Sequence, residues 1–322
     1  MKKLNWGIIG LGSMATSFAS SFCAEDAQLY AAGSRTLEKS EQFAKEHGIE
    51  KAYGSYDELL NDSAIDVVYI ATPHSHHADL IIKSLENNKH VLCEKAIVMN
   101  TTQLDAAMKL ASDKQLVLAE AMTIYHMPLY QELKKRATDG SLGKLKMIQV
   151  SFGSLKEADP TNRFFNKDIA GGALLDIGTY ALSFARFFLS SQPKEVLTTA
   201  NFFETGVDEQ AGIILKNDEK EMATIAITFR AKMPKQGIVA FEKGFFTVND
   251  FPRADEATFT HPDGSVEQIQ VGDTNKALNY EVSHFNNAVR TKEESLSLDL
   301  THDVMEIMDT LREKWGLHFD FE

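Results

Sequence analysis

Short apolar runs and stretches of helical period alternate along the first third of the chain. LNWGIIG, AQLYAAGS, IDVVYIATP, KHVLCEK and QLVLAEA read as strands. They are rich in Val, Ile, Leu and Ala and are bounded by Gly, Pro or Asn. Between them, residues 13–22, TLEKSEQFAKEHG, SYDELLND, HHADLIIKSLENN and NTTQLDAAMKLASDK place apolar residues three and four apart, the spacing of one helix face. Near-continuous apolar strands alternating with helices predict βαβ units and a parallel sheet buried on both faces.

The pattern changes after about residue 144. KLKMIQVSFGS, KEVLTTANFFE, EQAGIILKND, EMATIAITFR, QGIVAFEKGFFTVND, EATFTHPDG and VEQIQVG read as successive strands, with KND and PDGS supplying turn chemistry. A helix over Gly172–Leu189 interrupts them, and helices over Asn279–Arg290 and His302–Trp315 close the chain. The expected fold is α/β: a dinucleotide-binding (Rossmann) domain over 1–121, then an α+β domain over 122–322 with a large, mostly antiparallel open sheet.

Composition narrows the partners. The chain has 322 residues, with 33 basic and 46 acidic side chains and a net charge of −13. That balance argues against nucleic-acid and anionic-membrane surfaces, which need clustered Lys and Arg. No apolar run is long enough to cross a bilayer. The basic, apolar start imitates a secretion signal, but Gly10 and Gly12 break the run and the segment supplies the first strand and helix. Cys23 and Cys93 form no CxxC pair and read as reduced core residues of a cytoplasmic protein.

Candidate chemistry gathers at the carboxyl ends of the predicted parallel strands. Gly10-x-Gly12-x-x-Ala15 ends the first strand and opens a helix, so the first-turn amides, with Ser13 and Met14, are expected to take a pyrophosphate. After the second strand, where an NAD site places an acid, stand Ser34 and Arg35, with Lys39 one turn on. A guanidinium there suits a 2′-phosphate, which favours NADP and leaves NAD possible. Thr72, Pro73, His74 and His77 follow another strand as a cofactor-side loop. Its three histidines, with His76, lack acid or thiolate partners at ligand spacing, so no metal is expected. Glu94 and Lys95 end an apolar strand at the same edge, which points them at the cofactor crevice. Asp176 and Tyr180 are spaced i, i+4 after a glycine pair and share one helix face.

These stretches, with LAEAMTIYHMP and the closing YEVSHFNNAVRTKEESLSL, resemble the glucose–fructose oxidoreductase/inositol dehydrogenase (Gfo/Idh/MocA) family, in order over nearly the whole chain. They are most similar to its branch of dimeric dihydrodiol dehydrogenases and NADP-dependent aldose dehydrogenases. The resemblance implies an NAD(P)-dependent oxidoreductase moving a hydride between nicotinamide and a CH–OH or C=O group of a sugar, cyclitol or diol. The alternative is an inactive dinucleotide-binding regulatory protein of the same fold. It implies catalytic roles for Lys95, Asp176 and Tyr180, a cofactor-side role for His77, and a substrate contact for Arg163. It also implies a homodimer through the C-terminal sheet. Two positions depart from the family pattern: Ala96 stands where the family carries proline beside the lysine, and Tyr125 stands in the substrate region where relatives often carry arginine.

Overall fold

The computed structural model describes residues 2–293 and 296–322, so residues 294 and 295 of the closing family-like stretch lie outside it. The chain divides into two compact units, one of Met1–Ala121 with Leu278–Leu298, the other of Met122–Ala277 with Asp299–Glu322.

The first unit is built on six parallel strands: β1 (Leu4–Ile9), β2 (Ala27–Gly33), β3 (Lys51–Tyr53), β4 (Val67–Ile70), β5 (His90–Glu94) and β6 (Leu118–Ala121), in the order β3-β2-β1-β4-β5-β6. This is the doubly wound dinucleotide-binding order, with the chain reversing between β1 and β4. The connections are α1 (Ser13–Ser21), α2 (Leu37–His47), α3 (Tyr56–Asn61), α4 (His77–Glu86) and α5 (Thr101–Asp113). Central strands such as Val67–Ile70 and Val91–Cys93 are fully buried, as a sheet covered on both faces requires. The short strand β3 carries too little apolar sequence to be read from pattern.

One helix of this unit comes from far along the chain. In α8 (Ala277–Thr291), Leu278, Val282, Phe285 and Ala288 form a buried stripe at helical spacing. Phe285 packs edge-on against Trp6, with ring centroids 5.4 Å apart, and Phe18 stacks on Tyr69 in the same core. The Trp6 indole N–H donates to Asn286, whose amide donates to Asp26; Arg290 holds the other Asp26 oxygen at 3.0 Å. This contact set brings α8 to the first sheet, so the division differs from a single cut at residue 121.

The second unit contains an eight-stranded sheet. After α6 (Pro128–Thr138) come β7 (Leu145–Gly153), β8 (Glu195–Phe202), β9 (Asp208–Lys216), β10 (Met222–Thr228), β11 (Gln236–Phe241), β12 (Gly244–Asn249), β13 (Glu256–Thr260) and β14 (Val266–Gln270). Their order is β14-β13-β12-β11-β7-β10-β9-β8, antiparallel throughout except for the parallel pair β7–β10. The stretch QGIVAFEKGFFTVND, read as one strand from its apolar content, is a hairpin. It turns at Glu242–Lys243, and Gly244 takes φ +140°, which a glycine accepts freely. The helix predicted over Gly172–Leu189 is a π-turn over Leu174–Gly178 that runs into α7 (Thr179–Phe188). The last helix, α9, spans Leu298–Trp315.

Side chains alternate across this sheet as the pleat demands. Ile148, Val150 and Phe152 of β7 and Ala211, Ile213 and Leu215 of β9 are buried, while Met147 and Ile214 lie on the other face and are exposed. There Leu197, 65% exposed, pairs with Ile214, which pairs with Thr224, which pairs with Gln149. Cys93 is buried as expected; Cys23, just past α1, is exposed rather than in the core. Among the described residues no helix is long and apolar enough to cross a membrane.

The two units respond oppositely to acid. In the first, burial holds the imidazoles of His77, His90 and His284 below their ordinary value. His90 is fixed as an acceptor by the Val117 N–H at 2.9 Å. In the folded protein these rings therefore take up protons only at lower pH than in the unfolded chain. Their contribution is therefore complete above about pH 6.5 and is lost as pH falls below it. In the second unit burial pushes Asp208 up to about 6, so there stability rises as pH falls from about 6 towards 4. Hydrogen exchange by mass spectrometry, compared at about pH 7.5 and about pH 5.5, should show amides of β4 and β5 losing protection on acidification while those of β9 and β10 do not. Uniform loss across both sheets would contradict this assignment.

Candidate active site

Gly10 follows β1 with φ +87°, and a Cβ there would lie 2.7 Å from Thr72 Cγ2 and 2.8 Å from the Ala71 carbonyl. The turn into α1 therefore rests directly on the end of β4. Gly12 is the opposite case: nothing lies within 4 Å of an added Cβ, and α1 begins on it without a side-chain cap. The first-turn amides, including those of Ser13 and Met14, thus open onto free space with the positive end of the helix behind them. Both features fit a dinucleotide pyrophosphate.

At the end of β2, Ser34 is buried and its hydroxyl is engaged by its own turn. It donates to the Thr36 carbonyl at 2.9 Å and accepts the Thr36 N–H at 3.2 Å. Arg35 and Lys39 are exposed, and neither forms an ion pair among the described residues. The loop after β4 leaves the hydroxyls of Thr72 and Ser75 buried without a hydrogen-bond partner among the described residues.

The same loop reaches the backbone after β5. His74 Nε2 donates to the Lys95 carbonyl at 3.2 Å. His77 is fully buried, with Nδ1 2.9 Å from the Ala96 carbonyl and Nε2 2.8 Å from the Thr72 carbonyl. Burial keeps the ring neutral, so it donates to one of these carbonyls at a time. Glu94 accepts the Tyr69 hydroxyl at 2.5 Å through one oxygen and the Lys95 N–H at 3.3 Å through the other. Glu120, in β6, accepts the Ile97 N–H at 3.1 Å. Ala96 is fully buried, and the Lys95–Ala96 peptide is cis. Lys95 itself is half-buried. An acid can therefore end this apolar strand because backbone and tyrosine donors engage both of its oxygens. Sequence reading did not identify Tyr69 and Glu120, because their partners are far away in the chain.

In the second unit, Asp176 sits in the π-turn and Tyr180 one turn on in α7. From Gly171 to Ala185 these two side chains alone are only partly buried; every other residue is fully buried. Arg163 lies 3.9 Å from Asp176 and stacks its guanidinium on Phe164, 4.5 Å from the ring centre. The Tyr180 ring leans on Phe152. The Tyr125 ring is buried and stacked against Phe187. Among the described residues the one cluster with metal-ligand types is His302, Asp303 and Glu306, where Asp303 is already held by Arg186 at 2.7 Å.

The fold and these motifs have counterparts among known proteins. The model of the Gfo/Idh/MocA oxidoreductase family, NAD-binding Rossmann fold, matches residues 4–122, and that of the family's C-terminal domain matches residues 130–247. A trans-1,2-dihydrobenzene-1,2-diol dehydrogenase from Xenopus laevis is 32% identical over 98% of both chains. The chain belongs to the Gfo/Idh/MocA oxidoreductase family. The enzyme of the same name from Homo sapiens is 30% identical over 75% of this chain and 73% of its own. A 3-ketoreductase from Actinomadura kijaniata, in complex with NADP and TDP-benzene, shares the fold with a TM-score of 0.84 at 21% identity, over 95% of this chain and 96% of its own. A levoglucosan dehydrogenase in complex with NADH and levoglucosan does so with a TM-score of 0.87 at 20% identity, over 98% of both chains.

The family's Rossmann turn yields a direct test here. Gly12→Asp places a carboxylate in open space at the helix start, where it caps the free amides. Thermal stability should hold or rise by a few tenths of a kcal/mol. Dinucleotide affinity, followed by quenching of protein fluorescence, should fall by a factor of ten or more, because the new charge occupies the anion's position. Unchanged affinity would place the pyrophosphate elsewhere.

Proposed function

We propose that this chain is an NADP-dependent dehydrogenase or reductase acting on a CH–OH or C=O group of a diol or sugar. The observation that carries the reading is the pair Asp176 and Tyr180, the two side chains left open on an otherwise buried helix. In this reading residues 1–121 hold the cofactor. The remainder, over 122–322, supplies the substrate pocket and the dimer contact.

Gly10, Gly12, Ser13 and Met14 hold the pyrophosphate on the open helix start. Arg35 and Lys39 take the 2′-phosphate; no carboxylate stands at the end of β2 to accept a free 2′-hydroxyl instead. Ser34, Thr72, Pro73, His74, His77 and Glu94 shape the cofactor side, where the buried Thr72 hydroxyl lacks a hydrogen-bond partner among the described residues. When bound, the nicotinamide takes or gives the hydride. Tyr180 removes the proton from the substrate hydroxyl during oxidation and returns it in reduction. Lys95 holds the substrate oxygen. Asp176, with Arg163 beside it, orients the substrate hydroxyls, and Tyr125 backs the pocket through its packing on Phe187. The diol and sugar classes are those named for the relatives and fold neighbours above.

Turnover should appear in an absorbance assay at the reduced-nicotinamide band with trans-dihydrodiols, aldoses and anhydrosugars as the panel. NADP should be preferred to NAD. Arg35→Ala should weaken NADP by about 1–3 kcal/mol and leave NAD nearly unchanged. Tyr180→Phe and Lys95→Met should each lower kcat by a factor on the order of 10²–10⁴ with little change in NADP affinity. Because the two act on one oxygen, the double variant should lose far less than the product of the single losses. Full turnover in both single variants would remove the assignment.

Met147, Leu197 and Ile214 give the second sheet an exposed apolar face, which supports a homodimer formed through it. Light scattering at micromolar concentration should give twice the chain mass, and Leu197→Glu with Ile214→Glu should return it to the monomer. We also assign the protein to the cytoplasm, consistent with its two free cysteines.

A further inference from the structure

We propose that Asp208 is a positioning residue for Asp176 and Tyr180, a role that rests on the assignment of those two side chains to substrate chemistry. Asp208 opens β9 and is 1% exposed. Its Oδ2 accepts the Leu174 N–H at 2.7 Å, the first amide of the π-turn. Its Oδ1 lies 2.3 Å from the place where a Cβ on Gly172 would sit, and Gly172 takes φ +125°. A glycine is therefore required for the carboxylate to come this close, and the pair Gly172–Asp208 works as one clamp.

The clamped amide is two residues before Asp176 and six before Tyr180, and the backbone between them is continuous π-turn and helix. The axial position of both side chains thus follows from where Asp208 holds Leu174. The arrangement costs stability. Burial pushes the carboxyl up to about 6, against the pull of the Ala173 and Leu174 amides and of the Arg312 charge. A helix start inside a core needs an acceptor, but a hydroxyl or carboxamide fills that need without a buried charge. The carboxylate adds two acceptor oxygens in one fixed plane: one holds the amide, the other abuts Gly172. π-turns recur at functional sites, where they re-aim the side chains that they carry.

The test compares Asp208→Asn with the parent by hydrogen exchange of peptides spanning 170–182, by NADPH titration, and by turnover of trans-1,2-dihydrobenzene-1,2-diol with NADP. Exchange of these amides should rise by a factor of ten or more while peptides of β10 and β11 stay unchanged. Turnover number should fall by a factor of ten or more, with NADPH affinity within twofold. In a Tyr180→Phe background, Asp208→Asn should lower turnover by less than twofold. Gly172→Ala, which crowds the carboxylate without removing it, should give the same pattern and serves if Asp208→Asn does not fold. Unchanged exchange, or raised exchange with turnover within twofold of the parent, would overturn the proposal, as would an undiminished loss in the Tyr180→Phe background. A Tyr180→Phe variant with parental turnover would instead remove the catalytic assignment, and the exchange result would still decide whether the clamp exists.

Discussion

A backbone amide or carbonyl that leaves regular structure inside a core has no water to bond to, and each such group left unpaired costs about as much as a lost hydrogen bond. This chain meets that constraint with buried or half-buried ionisable side chains at both places where its candidate catalytic groups sit. After β5, the amides of Lys95 and Ile97 go to Glu94 and Glu120, and the carbonyls of Lys95 and Ala96 go to His74 and His77. At the start of the π-turn, the Leu174 amide goes to Asp208. A buried charge is a liability unless hydrogen bonds offset its lost hydration. Here each acid gains those bonds by taking amides that have no other use. Backbone that could not otherwise be buried is thereby held beside Lys95 and before Asp176.

Charge acts locally in the same way. The chain carries −13 overall, yet Arg35 after β2 and Lys39 in the first turn of α2 form no ion pair among the described residues, and the α1 start has no side-chain cap. At physiological salt, exposed charges are screened beyond about 8 Å. An anion seated at these groups therefore feels them and the helix end far more than the acidic surface elsewhere. The net charge bears on solubility and on which macromolecules are repelled. It does not decide whether one phosphate is bound.

Much of this was legible in the sequence. The parallel strands are buried on both faces and so appear as unbroken apolar runs. The glycine turn and the i, i+4 spacing of Asp176 and Tyr180 are local patterns. What stayed hidden depends on partners distant in the chain. Nothing around Asp208 or Glu120 marks them, because the amides they hold lie more than 20 residues away. The stripe of α8 announces a buried face without saying which sheet it covers; the Asp26 and Trp6 contacts that decide it are more than 250 residues distant. The hairpin of β11 and β12 was hidden for another reason: its turn residues, Glu242 and Lys243, are polar but not strong turn formers, so the apolar runs on either side seemed continuous.

At Ala96 a local constraint has given way to tertiary ones. A proline at that position would fix one backbone angle and remove one donor through its own ring. Alanine does neither. Yet Ala96 is fully buried here, with carboxylates on the amides of both flanking residues and imidazoles on the carbonyls of Lys95 and Ala96. These four side chains come from the end of β5, from β6, and from the loop before α4 and its first residue. The backbone at Lys95 is thus held here by four side chains, spread over some 46 positions from His74 to Glu120. A change at any of the four reaches the lysine through the backbone it holds, so the Lys95 stretch is only as well ordered as the packing of the first unit around it.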